Sequence, residues 1–212
     1  MNAAAAFALA YASGSIPAAY LAGRVVKGID LRTVGSGNLG ATNVYRALGA
    51  KVAGIVFLVD ALKGALPAAL LPAMVLPPEA MGTDRALWWA LAFGVAAIAG
   101  HAKPVFLLWK GGGKGVATAA GVFAALAPLP FVLALAAFSL VLWRTGYVSA
   151  GSLTGAVVLP VALVVSLGVA SPVTIVAVLV CLFVFWTHRA NMARLRHGTE
   201  HRFGRSRPTE SS

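Results

Sequence analysis

Long apolar runs, separated by short segments rich in glycine and cations, account for nearly all of the 212-residue chain. Residues 2–22 carry no charge, and similar runs cover 50–75, 86–108, 116–143, 144–169 and 173–187. About 20 consecutive apolar residues is the length an α-helix needs to cross a bilayer, so the pattern predicts membrane helices. Pro17 is expected to kink the first. The run 116–143 is interrupted midway by Ala127-Pro128-Leu129-Pro130. With Lys110, Lys114 and Arg144 on one side of the membrane, the chain between them has to enter and return, which predicts two short helices meeting at the prolines. The expectation is an all-α integral membrane protein of seven transmembrane helical segments, two of them short.

Composition agrees: 59% of residues are hydrophobic, 11% are charged and the mean hydropathy is +0.85, which excludes an ordinary soluble domain. A net charge of +11 would suggest nucleic acid in a soluble protein. Here the basic residues sit in short segments between apolar runs, the distribution that membrane topology produces, and no basic tract with interleaved aromatics argues for a nucleic-acid partner. Of the 17 Lys and Arg, only Arg85 falls in an expected outer loop and only Lys63 in the interior of a span. This asymmetry predicts an outside N-terminus and a cytosolic C-terminus. The first run lacks a basic leader and continues to Arg24 and Lys27, so it reads as a retained helix rather than a cleaved signal. Cys181, the single cysteine, reads as a small buried hydrophobe. One membrane domain over residues 1–203 and a polar tail over 204–212 complete the expected organisation.

Three polar segments carry the candidate chemistry. The first runs from Gly35-Ser36-Gly37-Asn38 through Thr42-Asn43 to Arg46. Its glycines let backbone approach a ligand, its hydroxyls and amides offer neutral hydrogen bonds, and Arg46 adds a planar fork of donors. The second, His101 to Lys110-Gly111-Gly112-Gly113-Lys114-Gly115, joins two lysines to a loop suited to wrapping phosphate. It is no Walker A loop, because Gly115 stands where a metal-binding Ser or Thr would be needed. The third is His188-Arg189-Ala190-Asn191 through Glu200, in which helical spacing puts His188 and Asn191 on one face. Ser149 by itself reads as a helix cap. Asp60 and Lys63, three residues apart in the second run, form an intramembrane pair that either neutralises itself or lines a polar cavity. The scattered histidines and few carboxylates suggest no metal site and no cofactor.

Taken together and in order, these segments resemble the motifs of the bacterial acyl-phosphate:glycerol-3-phosphate acyltransferase (PlsY) family. Ser13-Gly14-Ser15-Ile16-Pro17 with Tyr20 and Gly23-Arg24 fits that family's amino-terminal pattern as well. The resemblance spans essentially the whole chain, with one departure: three glycines separate Lys110 from Lys114 where the family pattern has two. It implies a seven-helix protein of the bacterial inner membrane whose active site faces the cytosol. The implied substrates are acyl phosphate and glycerol 3-phosphate, and the products lysophosphatidic acid and phosphate, in phospholipid synthesis. Carried over by residue, Ser36, Arg46, Lys110, His188 and Asn191 would do catalytic work. Gly35, Gly37, Asn38, Thr42, Asn43, Gly112, Lys114 and Ser149 would hold substrate phosphate.

An acyl phosphate is an activated anhydride, so placing the glycerol hydroxyl and stabilising the leaving charge is sufficient chemistry, with a substrate phosphate oxygen expected to take the proton. A transporter of phosphorylated metabolites needs access from both faces, whereas the polar segments cluster on one. A scaffold accounts for neither those segments nor Asp60 and Lys63. An acyltransferase using acyl-CoA or acyl-ACP is the nearest enzymatic alternative, but neither His101 nor His188 is followed by the Asp of a His-x4-Asp pair.

Overall fold

A computed structural model describes residues 1–204, so the expected tail lies outside the described residues apart from Gly204. Among the described residues the secondary structure is helical and includes no strand. In chain order the helices are α1 (Ala3–Ser15), α2 (Ala18–Lys27), α3 (Ala41–Leu48), α4 (Ala50–Val75), α5 (Asp84–Ala102), α6 (Val116–Leu126), α7 (Pro128–Thr145), α8 (Val148–Leu167), α9 (Pro172–Thr187) and α10 (Arg189–Arg196). Among the described residues, five stretches are long and apolar enough to cross a membrane: α1 with α2, α4, α5 with the turn after it, α7 and α8. A sixth is reached if α9 and α10, bent by 59° at His188, count as one.

Two sequence expectations are sharpened. Pro17 does more than kink the first helix. It separates α1 from α2 and leaves the Ile16 carbonyl outside any regular helix. The prolines at 128 and 130 do break the run there, but only one of the two expected short helices is short. The 11 residues of α6 rise about 16 Å, half a bilayer core, while the 18 of α7 rise about 27 Å. Pro128 and Pro130 sit in the first turn of α7, where a missing N–H costs nothing, so they start a full-length helix.

Small residues bring these helices close. A side chain at Gly121 would overlap the Ala61 backbone, and one at Gly64 the Thr118 carbonyl, so α4 and α6 touch through their backbones. Around α6 lies the main apolar core, with Leu91, Val122, Phe123, Leu163 and Ala177 fully buried. The outward faces are apolar too: Leu58, Leu66 and Leu70 on α4, Leu129, Leu133 and Trp143 on α7, and Leu179 and Leu182 on α9 are exposed. In water such a surface would aggregate; in lipid it is the expected boundary. The packing leaves a gap between α6, α7, α8 and α9 that opens onto α3 and α10.

Candidate active site

The first polar segment is shaped by one buried amide. Asn43 Nδ2 donates to the carbonyls of Leu31 (3.2 Å) and Val34 (3.0 Å), and its Oδ1 accepts from the Ser36 N–H (3.1 Å). The loop therefore folds around Asn43, whose two amide protons are both spent on the loop. Gly35, at φ +62°, lies so close to this amide that a side chain would overlap Asn43 Oδ1. Asn38 Nδ2 reaches across to the Gly112 carbonyl (3.2 Å), and the Leu39 N–H donates to the same oxygen (3.1 Å). The first and second segments are thus laced together. From the C-terminal turn of α3, Arg46 enters the gap with no hydrogen bond or ion pair to the described residues.

The second and third segments meet at Asn191. Lys114 Nζ donates to Asn191 Oδ1, and Asn191 Nδ2 donates to Glu200 Oε1 (2.6 Å). Glu200 Oε1 also accepts from Ser149 Oγ (2.9 Å), and Oε2 accepts from Arg194 Nε (2.7 Å). One carboxylate thereby gathers α8, α10 and, through Asn191, the glycine loop. Ser149 is not the cap of α8, whose N-cap position is Tyr147; its hydroxyl is committed to Glu200. At the bend between α9 and α10, His188 Nδ1 lies 2.8 Å from the Val184 carbonyl. That contact assigns the proton to Nδ1 and leaves the Nε2 lone pair for a ligand.

These groups line one cavity of about 690 Å³. Its polar end holds Gly35, Ser36, Asn38, Thr42 and Asn43 from the first segment, Arg46 and Lys114 as cations, and Ser149, His188 and Asn191. Arg194 and Glu200 are there as well, which sequence reasoning left out of the site although Glu200 is the one acid in the basic run 189–202. Not every expected residue arrives. Lys110 is exposed and does not line the cavity; the chain turns through left-handed Leu108 and Trp109 just before it, and its carbonyl accepts from Arg32. Gly112 faces a smaller cleft beside Lys63, and Gly37 makes the turn below Arg32. Asp60 and Lys63 form the expected pair at 2.8 Å, buried, with Asp60 on the cavity wall. No cluster able to hold a metal occurs among the described residues.

Three cations, Arg46, Lys114 and Arg194, face Glu200 in this end of the cavity, and Asp60 is offset by Lys63. Burial and the neighbouring Arg194 and Arg46 pull Lys114 down to about 8 against the attraction of Glu200. Burial likewise lowers Arg46 from its ordinary value. Burial works to raise Glu200, but hydrogen bonds from Asn191, Arg194 and Ser149 outweigh it and hold the carboxyl below its usual range. Three cations against one carboxylate leave this end of the cavity with an excess of positive charge, which attracts anions. From it the cavity continues between Phe123, Phe131, Leu135, Phe138 and Leu159 as an apolar limb.

The class follows from fold and site together: a multi-pass helical membrane protein whose cavity is lined by cations in one part and by apolar side chains in another. The glycerol-3-phosphate acyltransferase family profile matches residues 4–198. A glycerol-3-phosphate acyltransferase of Geotalea daltonii is 45% identical over 200 residues, covering 92% of this chain and 95% of its own. One from Listeria monocytogenes is 45% identical over 193 residues, covering 91% and 92%. Crystal structures of PlsY (YgiH), an integral membrane glycerol 3-phosphate acyltransferase, superpose with TM-scores of 0.81 for the glycerol 3-phosphate form and 0.80 for the lysophosphatidic acid form. They are 37% and 36% identical, and each comparison covers 95% of both chains. The chain belongs to the glycerol-3-phosphate acyltransferase family of PlsY type.

Proposed function

We propose that the protein transfers a fatty acyl group from acyl phosphate to glycerol 3-phosphate, at a site on the cytosolic side of the bacterial inner membrane. The observation that carries this reading is one shared cavity, in which Arg46, Lys114 and Arg194 line the polar end and apolar side chains line the rest. Two anionic substrates need that excess of cations, and an acyl chain needs the limb. His188 Nε2 accepts a hydrogen bond from the attacking hydroxyl and orients it. As the hydroxyl oxygen bonds to the acyl carbon and the carbon–phosphate oxygen bond breaks, the proton passes to a phosphate oxygen, so that phosphate leaves protonated. The seven-segment topology with a cytosolic C-terminus belongs to the same proposal; α6 and α9–α10 supply the segments beyond the five long ones.

Purified protein in a lipid mesophase or detergent is expected to release phosphate only when given both acyl phosphate and glycerol 3-phosphate. Turnover with acyl-CoA and none with acyl phosphate would overturn the donor assignment. For the base, loss of rate confined to His188→Ala, with the Arg46 and Lys114 variants normal, would contradict the substrate-assisted route.

Lys114 titrates near 8 in the free protein, so its ammonium is present below that pH and lost above it. The KM for glycerol 3-phosphate is therefore expected to rise as pH passes upward through about 8. In Lys114→Arg the rise should disappear, and Lys110→Gln should retain the wild-type profile. A profile that Lys114→Arg leaves unchanged would remove Lys114 from phosphate binding.

A further inference from the structure

The buried Asp60–Lys63 pair has no part in the acyl transfer proposed above, yet it lies where four segments converge. Lys63 Nζ donates to the Ile16 carbonyl (2.9 Å), which lies at the α1–α2 break and also accepts from the Ala18 N–H (3.0 Å), and Ser13 Oγ donates to the Lys63 carbonyl (3.4 Å). Asp60 Oδ1 stands between Lys63 Nζ (2.8 Å) and His101 Nδ1 (3.7 Å). All three side chains are nearly inaccessible: Asp60 is 1%, Lys63 5% and His101 6% exposed. Beyond His101 comes the glycine loop. The Gly113 N–H donates to the His101 carbonyl (3.1 Å), and a Cβ built on Gly113 would have atoms of the His101 ring, Nε2 first, as its three nearest neighbours. Gly113 has no positive φ, so its backbone conformation is open to any residue. The His101 imidazole is the nearest obstacle to any side chain there.

We propose that Asp60, Lys63 and His101 are positioning residues for the glycine loop. The ion pair fixes α4 against the α1–α2 break, and the His101 ring, 3.7 Å from Asp60, is the floor on which Gly113 lies. The floor sets the height from which Lys114, the next residue, reaches Asn191 and the cavity. Arg46 and Lys114 meet substrate; the triad acts through Lys114. This inference rests on the reading of the cavity as the glycerol 3-phosphate site.

The test is a size exchange across the contact. Gly113→Ala is expected to raise the KM for glycerol 3-phosphate at least tenfold while the KM for the acyl donor stays unchanged, because the methyl lifts the loop off the ring. Gly113→Ala combined with His101→Ala is expected to recover at least threefold of that rise, since the methyl then occupies space the ring has left. Gly113→Ala with His101→Gln, which keeps the space filled, should not recover. Independent of these, the charge-free pair Asp60→Asn with Lys63→Met should remain folded in detergent, as matched removal of a buried pair usually permits, yet show a raised KM for glycerol 3-phosphate. Independent, additive effects of the His101 and Gly113 changes, or a Gly113→Ala enzyme with wild-type KM, would overturn the proposal. A wild-type protein inactive with glycerol 3-phosphate would instead overturn the reading of the site.

Discussion

Arg46→Ala is expected to lower kcat/KM for glycerol 3-phosphate by about 10²–10³-fold, about 2.7–4 kcal/mol of transition-state stabilisation. The reason lies in how Arg46 is held. Its guanidinium lines the cavity without a hydrogen bond or ion pair to the described residues, so its donors are uncommitted before substrate arrives. A cation already paired would have to break that pair first. Lys114 cannot substitute, because its ammonium is tied to Asn191 and partly discharged near pH 8. Arg46→Lys should recover only part of the loss: an ammonium restores charge but not the planar fork that grips two phosphate oxygens. Steady-state kinetics at fixed acyl phosphate would measure this. Near-wild-type kcat/KM in Arg46→Ala would remove it from the site.

The second large effect is expected at Glu200, a residue that need never touch substrate. Glu200→Gln keeps the shape, yet it replaces an acceptor for Arg194 by an amide that points a donor at a donor. Ser149, Asn191 and Arg194 all donate to this carboxylate, and Asn191 in turn accepts from Lys114. Leaving such groups mispaired costs about 1–3 kcal/mol of stability, and more where a charge is involved. The expected result is a lower thermal unfolding midpoint in detergent together with loss of acyl transfer, because Asn191 and Lys114 lose their common anchor. An unchanged midpoint with unchanged activity would show that the network contributes nothing.

Much of the fold was legible because a bilayer leaves few choices. Runs as apolar as 50–75 and 173–187 have to satisfy their backbone polar groups internally, which makes them helices, and the expected break at Ala127-Pro128 falls where the structure has it. What local pattern did not contain was helix length after the break. Prolines signal an interruption, but whether the next segment is a stub or a full span depends on the partners α7 finds, chiefly α8.

The site divides in the same way. Residue types and their spacing already contained the inventory: three glycine- and cation-bearing segments in a chain too apolar for water, and a charge pair whose spacing of three residues puts it on one helical face. Residue type and spacing are enough for that, because they set which groups exist and which share a face. How the inventory is used was settled by packing between distant segments. It brought Lys114 rather than Lys110 to the cavity, turned Asn43 inward to hold its own loop, drew Ser149 away from capping, and made Glu200 the anchor of the polar end. Each of those outcomes depends on contacts across 7 to 77 positions of chain. A side chain's role is set by which donors and acceptors folding places within about 3 Å of it, and no local spacing encodes that.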